Sequence, residues 1–501
     1  MRICGFLKVR NEIIREGNIY RALRCLSEIC DTIVACDDAS VDGTRELLVA
    51  TIPKDQLVLV PSEEQDFRHE LRWKQRMLDI VHRIKPDWIL WHDGDEVFER
   101  KGSGALFRDW LEHAEPHPAW SFHYTQFWRN TTWARTDDGF DAGYFVKLWR
   151  YDPSLSFHVI DATHAAQIPA QILSVREHVG LAPFDVLHYG NYGKSLVWKA
   201  IQYHGGLGGV DRHLVFPQGQ YRRVDDQMIP EGVLVDPGDA PQPFSAREIE
   251  IIRSLQNLRH LPAWFTVIIP TYNRAYALPA ALNSVLEQTY PNWVAVVLDD
   301  GSTDNTESIM RHYQRVDPRI FYCRYPTNRG GVAMNEIGMD LAVEFTEYWT
   351  RLGSDDRFLP HKLARDAEVL RHHEAVYAPY GVYRNGKAGE CGNPYMTPEV
   401  IRERLLSGSY EVSWANCAAR TDVLRRVKAR YGTYVDPRLR NMEDFVFNAR
   451  VVRNGVQWIW RPSPEGYDAI WTVAHDGASS NADVTTRDQH LSIDIIRREG
   501  M

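Results

Sequence analysis

Short apolar runs with the period of a β-strand alternate along this chain with stretches in which apolar residues recur at helical spacing. Residues 2–9 predict a strand, residues 15–29 a helix and residues 32–36 a second strand. The second half repeats the order. Phe265-Thr266-Val267-Ile268-Ile269-Pro270 is an apolar run stopped by proline. Residues 277–286 carry apolar side chains at helical spacing, with Pro279 where an early helical turn tolerates it. Tyr290-Pro291-Asn292 breaks the chain, Trp293 to Leu298 read as a buried strand, and helical character resumes at Thr306. Strand–helix–strand–helix, twice over, predicts an α/β fold with a mostly parallel sheet and helices on both faces.

The same word also occurs twice. Residues 33–44 read IVACDDASVDGT and residues 295–306 read AVVLDDGSTDNT. Each is an apolar strand that runs into an acidic pair and then a Ser/Thr/Gly/Asp turn. Each is followed by another strand ending in acid, at Asp93-Gly94-Asp95-Glu96 and at Gly353-Ser354-Asp355-Asp356. Asp38 to Asp95 is 57 residues and Asp300 to Asp355 is 55, so the spacing argues for a duplicated domain. Residues 229–244, rich in Pro, Gly and Asp, read as a linker, and residues 246–260 as a helix ahead of the second domain. The expected organisation is a first domain over 1–230, a linker with a helix over 231–262 and a second domain over 263–501.

Composition narrows the field. The chain has 501 residues, 44% hydrophobic and 25% charged, which suits two globular cores and excludes a disordered or fibrous chain. Lys+Arg 58 against Asp+Glu 67 gives a net charge of −9, which argues against a general polyanion binder. The Arg222-Arg223 pair is too sparse for a nucleic-acid surface. No apolar run approaches the roughly 20 residues of a membrane span. MRICGFLK reads as a strand and not a leader, and the seven scattered cysteines show no zinc spacing. A cytoplasmic protein with reduced thiols is the expectation.

In open α/β sheets, ligands bind beyond the carboxyl ends of the strands. Carboxylates there can accept hydrogen bonds from a ribose or base, or hold a hard divalent cation that in turn binds a diphosphate. A single such motif reads most simply as a turn or helix cap. The duplicated set favours the ligand.

Five words in order, VIIPTYNR (267–274), SVLEQTYPNW (284–293), VVLDDGSTDNT (296–306), NRGGVAMNEIG (328–338) and LGSDDRFLPHKL (352–363), resemble the nucleotide-binding half of a family-2 glycosyltransferase with the GT-A fold. In the first half LKVRNE (7–12), CDDASVDGT (36–44), WHDGDEVFE (91–99), LWRYDPSLSFHVIDATH (148–164) and LHYGNYGKS (187–195) resemble a divergent branch of that family. The resemblance implies two tandem GT-A domains, Rossmann-like in their mostly parallel sheets, joined by the linker.

It also implies roles. Pro270, Thr271 and Tyr272 would border the nucleotide base, and Asp299 and Asp300 would contact the nucleoside. The family's DXD metal motif has Gly353 at its first position here, leaving Asp355 and Asp356 as metal ligands. In the first half Asp93 and Asp95 keep the full metal motif, and Asp37 and Asp38 would be the nucleoside contacts, with Asn11 and Glu12 beside them. His188 and His475, in late segments, would reach the metal or diphosphate; a surface or core histidine is the plain alternative.

Inverting transfer needs a base for the acceptor hydroxyl, charge neutralisation of the leaving diphosphate and an in-line donor. NMEDFVF (441–447) resembles the family's acidic motif at a helix start near the acceptor, so Asp444 would be the base and Glu443 a supporting acceptor contact. Acid that merely complements a helix dipole is the alternative. Trp414 would stack on a donor or acceptor sugar, or belong to the core. Relatives of the first half often carry His-Glu where this chain has His164-Ala165; Asp161 would then substitute, as would Asp138 or Asp141, or the domain binds donor without chemistry. Phe122, Tyr124, Phe127, Trp128 and Trp133 could line an acceptor groove, but core packing is the default reading.

The expected cofactor is Mn²⁺ or Mg²⁺, and the expected donor a nucleotide-diphosphate sugar, UDP-sugar foremost. The acceptor is a glycan, as in surface polysaccharide synthesis, or another hydroxyl. A protein side chain is one such acceptor, and a hydroxymethylated DNA base is the single role open to nucleic acid. Two rivals stand lower. Nucleotidyl transfer would call for a Gly-rich phosphate loop where Pro270-Thr271-Tyr272-Asn273-Arg274 stands. A sugar-nucleotide-binding protein on a retired transferase fold would not need the acids at Asp355 and Asp444.

Overall fold

The computed structural model describes residues 1–15, 18–62, 70–127, 133–135, 143–157, 168–189, 221–230, 264–384, 387–392, 394–408, 412–440, 442–472 and 482–499. The chain divides into two compact units, with the main division between Ile249 and Glu250. The expected linker and its helix over 246–260 lie outside the described residues, as do Asp161, Asp138, Asp141 and His475.

In the first unit four strands lie parallel in the order Leu57–Pro61, Thr32–Asp37, Ile3–Val9 and Trp88–Asp93. The sheet then turns antiparallel through Tyr144–Arg150 and Ala119–Gln126, and continues to Val186–His188 and Glu96–Phe98. Helix Ile19–Ile29 packs Ala22, Leu23, Leu26 and Ile29 inward, while Met77, Leu78 and Val81 of helix Glu70–Ile84 enter the core with Phe6, Val34, Ile89 and Trp149. The first helix starts at Ile19 and not near 15, because Asn18 takes a left-handed conformation (φ 60°) and Arg15 is held in the preceding turn by Glu12 and Asp95.

The second unit repeats this order. Ile320–Arg324, Trp293–Asp299, Phe265–Thr271 and Tyr348–Arg351 lie parallel, followed by antiparallel Cys417–Arg420, then Ala375–Tyr377 and Trp458–Trp460. Strand alternation points Phe265, Val267 and Ile269 into one core with Leu278, Leu282 and Val285 of helix Leu278–Leu286. The opposite face, through Ile268 and Leu298, receives helix Gly331–Phe345. Gly338 sets how close that helix comes: a Cβ there would lie 2.3 Å from Ile268 Cγ2 and 3.0 Å from Leu298 Cδ1. Of the cysteines, Cys4, Cys25, Cys30, Cys36, Cys323 and Cys417 are buried thiols outside any disulfide. Among the described residues no helix is long and apolar enough to cross a membrane.

The close approach at Gly338 is testable. Gly338→Ala forces the helix off the sheet and should destabilise the second unit by about 1–3 kcal/mol in urea unfolding. Unchanged stability would show that the helix is not seated as described.

Candidate active site

Beyond the carboxyl ends of the first two parallel strands, the second unit builds a turn from its own polar side chains. Asn273, left-handed at φ 51°, accepts from Thr303 N (2.8 Å) on Oδ1 and donates its backbone N–H to Ser302 Oγ (2.8 Å). Asp299 Oδ1 accepts from Ser302 N (2.8 Å). Asp304 accepts from Thr306 N (3.0 Å), Thr306 Oγ1 (2.6 Å) and Ala275 N (3.0 Å). The side chains thus replace the ladder that ends at Thr271 and fix the strand ends against each other.

The first unit contains a closely matching cradle. Asn11, at φ 49°, accepts from Val41 N (2.8 Å) and donates to Ser40 Oγ (2.9 Å). Asp37 Oδ1 accepts from Ser40 N (3.4 Å). Asp42 accepts from Thr44 N (2.9 Å), Thr44 Oγ1 (2.6 Å) and Ile14 N (3.0 Å). Asp42 and Asp304 hold each turn, a role legible only once the two words are superposed.

The acidic pairs sit in this cradle. Asp299 is fully buried; its second oxygen accepts from Tyr322 Oη, as that of Asp37 accepts from Arg45 Nε (2.7 Å). Asp300 accepts from Arg329 N (2.6 Å) and Gly330 N (2.8 Å), which ties the turn before helix Gly331–Phe345 to the site. Burial raises Asp300 above the usual carboxylate range. Asp38 lies 3.7 Å from Lys8 Nζ. Asp37, Asp299 and Asp300 are therefore already hydrogen-bonded within the fold and Asp38 faces an ammonium, so a nucleoside would use their remaining lone pairs. Thr271 is buried, Pro270 half-buried and Tyr272 exposed at the rim.

The third strand end separates the two units. In the second, Asp355 and Asp356 fold back over Gly353, where a Cβ would lie 2.3 Å from Asp356 Oδ2 and 3.3 Å from Asp355 Oδ1. A side chain at 353 would press on the carboxylate ends of both acids, so the departure from DXD goes together with the fold of Asp356 over this position. Asp356 is buried and accepts from Thr472 N (2.8 Å). Burial, then the neighbouring Asp355 charge, push its carboxyl up to about 7. Among the described residues Arg274 forms an ion pair with Asp355, its Nε 3.7 Å from Oδ2. Two converging carboxylates with their charge only weakly compensated fit a hard divalent cation, which would bridge to phosphate oxygens when bound.

In the first unit the matching acids are already compensated. Lys147 Nζ, 2% exposed as a side chain, lies 2.9 Å from Asp93 Oδ2 and 2.8 Å and 3.0 Å from the two Glu96 oxygens. Arg15 bridges Glu12 (2.6 Å) and Asp95 (3.0 Å). Tyr124 Oη donates to Glu96 Oε1. Burial would raise Asp93, but Lys147 pulls it well below the usual carboxylate range. Burial raises Glu96 to about 8 against the opposing pull of Lys147, and Glu12 to about 7 against that of Arg15. His188 Nε2 is 3.7 Å from Asp95 Oδ2. Ammonium and guanidinium groups stand where a metal would, so these residues do not fit one. Among the described residues no group of three or more His, Cys, Asp or Glu is placed to hold a metal ion.

The remaining acids open helix Glu443–Arg453. Met442 before it is left-handed (φ 62°), and Asp444 Oδ2 accepts from Trp414 N (3.4 Å). Glu443 accepts from Asn335 Nδ2 (3.0 Å), whose Oδ1 accepts from Arg351 Nε (3.1 Å). Burial, then the Asp444 charge, push Glu443 up to about 7, while Arg351 opposes the rise there and at Asp356. Arg351 ties the acidic helix to the strand end that carries Asp355 and Asp356. Neither Arg351 nor Asn335 was singled out from sequence; the signal available was a lone arginine closing the apolar strand YWTR. Trp414 belongs to the packing and not to a sugar-stacking face. It is 2% exposed, with its ring edge-on to Trp349 (6.2 Å) and Phe447 (5.5 Å).

An open, mostly parallel sheet with carboxylates at its strand ends is the architecture in which α/β proteins bind nucleotides. The family model "Glycosyl transferase family 2" matches residues 266–428, so the second unit carries a domain of that family. A putative teichuronic acid biosynthesis glycosyltransferase, TuaG of Bacillus subtilis (strain 168), is 29% identical over 113 residues, 23% of this chain and 44% of the relative. A putative colanic acid biosynthesis glycosyl transferase, WcaA of Escherichia coli (strain K12), is 34% identical over 137 residues, 27% of this chain and 47% of the relative. The chain thus spans under half the length of these curated relatives. Among solved structures, S. aureus TarS 1-349 in complex with UDP-GlcNAc is 22% identical with a TM-score of 0.38, covering 46% of this chain and 65% of that one.

The pH dependence of stability tests the acidic strand end. The folded protein holds Asp356 near pKa 7 against an ordinary 3.8, so the protonated acid is favoured by folding. That contribution is complete below the ordinary value and lost as pH rises through 7. Asp356→Asn keeps an acceptor for Thr472 N without the charge. In metal-free urea unfolding the variant should gain on the wild type by about 2–4 kcal/mol between pH 5 and pH 8. A gap that stays constant over that range would contradict the placement.

Proposed function

We propose that the second unit transfers a glycosyl group from a nucleotide-diphosphate sugar to an acceptor hydroxyl, with inversion at the anomeric carbon. The observation that carries this reading is the tie that Arg351 makes between two acidic sites, the strand-end carboxylates and the acidic helix start. Asp299 and Asp300, with Pro270, Thr271 and Tyr272 at the rim, receive the nucleoside. Asp355 and Asp356 would hold Mn²⁺ or Mg²⁺, which when bound would neutralise charge on the leaving diphosphate. Asp444 takes the proton of the acceptor hydroxyl as its oxygen attacks the anomeric carbon and the bond to the diphosphate breaks. Glu443, held by Asn335, supports the acceptor. His475 remains a candidate for the diphosphate. UDP is the favoured nucleotide.

The matching strand order and the matching cradle support reading residues 1–230, within the first unit, as a second transferase-like domain with its own nucleoside site at Asn11, Glu12, Asp37 and Asp38. Asp161 remains its candidate base. The names of the relatives, with teichuronic and colanic acid among them, support a surface-polysaccharide acceptor and a place in polysaccharide biosynthesis. A cytoplasmic enzyme acting on an activated precursor accords with this.

A panel of nucleotide sugars with Mn²⁺, followed by released nucleoside diphosphate, tests the activity. Asp444→Asn should lower release by about 10²–10⁴-fold while UDP binding stays near wild type. Undiminished release would remove Asp444 as the base.

A further inference from the structure

The two units share a cradle but differ in what faces it. The strand ladders locate the difference. In the first unit Leu90 pairs with Leu148, and in the second Thr350 pairs with Ala418. One residue further along each ladder stand Lys147 and Cys417. The first unit therefore places an ammonium where the second has a buried thiol. The Lys147 ammonium sits among three carboxylate oxygens of Asp93 and Glu96, at 2.8 to 3.0 Å. The Arg15 guanidinium spans Glu12 and Asp95, and Gly94 between the acids leaves room for Glu12, whose Cδ would lie 2.9 Å from a Cβ there. Lys74 adds a third cation, its Nζ 4.5 Å from the Trp91 ring centre and its charge acting on Asp93.

A divalent cation would bind these oxygens at about 2.0–2.6 Å and so would have to expel Lys147, a buried ammonium with two carboxylate partners. It would also face the repulsion of the remaining cations. In the second unit Arg274 Nε lies 3.7 Å from Asp355 Oδ2, beyond the 2.8–3.0 Å at which Lys147 Nζ is bonded in the first.

We propose that the first unit is a metal-independent nucleotide site, in which Lys147 and Arg15 stand in the place of a divalent cation and a nucleoside diphosphate is held without one. The ligand class rests on the reading given under Proposed function; the charge arrangement does not. The shared Asn11–Ser40–Asp37 cradle supplies the nucleoside end, as Asn273–Ser302–Asp299 does in the second unit.

Calorimetric titration of the 501-residue chain with UDP, and with GDP in parallel, tests this by counting sites. In EDTA one equivalent of one of these nucleotides should bind, be lost in Asp38→Asn and persist in Asp355→Ala. Added Mn²⁺ should bring a second equivalent that Asp355→Ala removes. Binding of neither nucleotide in EDTA would overturn the proposal, as would EDTA-resistant binding that Asp355→Ala abolishes and Asp38→Asn spares. If the Mn²⁺-dependent equivalent alone is missing, the reading of the second unit fails while this one stands.

A gain of function gives a second arm. Bound Mn²⁺ counted by electron paramagnetic resonance should rise by one ion per chain in Lys147→Met. A wild-type Mn²⁺ ion that is lost in Asp93→Asn would overturn the proposal even if the methionine variant does not fold.

Discussion

The constraint on which this architecture depends is the satisfaction of backbone groups where parallel strands end. Past Thr271 and Val9 the ladder stops, and the turn that follows must find other partners for its N–H groups. Short polar side chains provide them: Asn273 for Thr303, Asp299 for Ser302 and Asp304 for Thr306, with Asn11, Asp37 and Asp42 doing the same in the first unit. Because aspartate and asparagine are the residues that do this at short range, the turn chemistry concentrates carboxylates at the sheet edge. That edge is also where ligands of α/β sheets bind. Structural need and binding chemistry therefore draw on the same residues.

The use of those residues depends on what balances their charge. In the second unit Asp355 and Asp356 fold together over Gly353, with Arg274 3.7 Å from Asp355 and the Arg351 charge acting on Asp356, and burial still holds Asp356 near neutral pH. Such a pair gains from an external cation. In the first unit Lys147 and Arg15 supply the balance from within the chain. Buried carboxylates without a partner would be costly, so each unit must answer the same electrostatic demand. A lysine on the strand Tyr144–Arg150 and an arginine in the turn before helix Ile19–Ile29 change the source of the answer. The duplication we propose would in this way have produced two sites of related shape and different cation requirement.

Much of this was legible in the sequence, because its signals are local. The strands at Ile3–Val9, Thr32–Asp37, Phe265–Thr271 and Trp293–Asp299 and the helices Leu278–Leu286 and Thr306–Val316 follow from apolar periodicity and proline placement. The acidic words follow from turn chemistry. What periodicity could not reveal depends on long-range pairing. Lys147 is a lone lysine in YFVKLWR, and nothing in its neighbourhood says that it reaches acids some fifty residues earlier. Arg15 looks like the start of a helix, yet it is bound across the sheet edge to Asp95, which delays the helix to Ile19. Trp414 carried two readings until its ring was seen between Trp349 and Phe447. Gly353 looked like a lost ligand and is instead the space into which Asp356 folds.

The central claim is that the second unit clamps a nucleoside diphosphate at the edge formed by Asp299, Asp300, Asp355 and Asp356. A crystal structure of the chain soaked with UDP and Mn²⁺ tests it most directly. The account predicts the nucleoside against the Asn273–Ser302 turn and an anomalous manganese peak within coordination distance of Asp355 or Asp356. Nucleotide bound elsewhere, or manganese absent from those carboxylates while nucleotide is present, would contradict it.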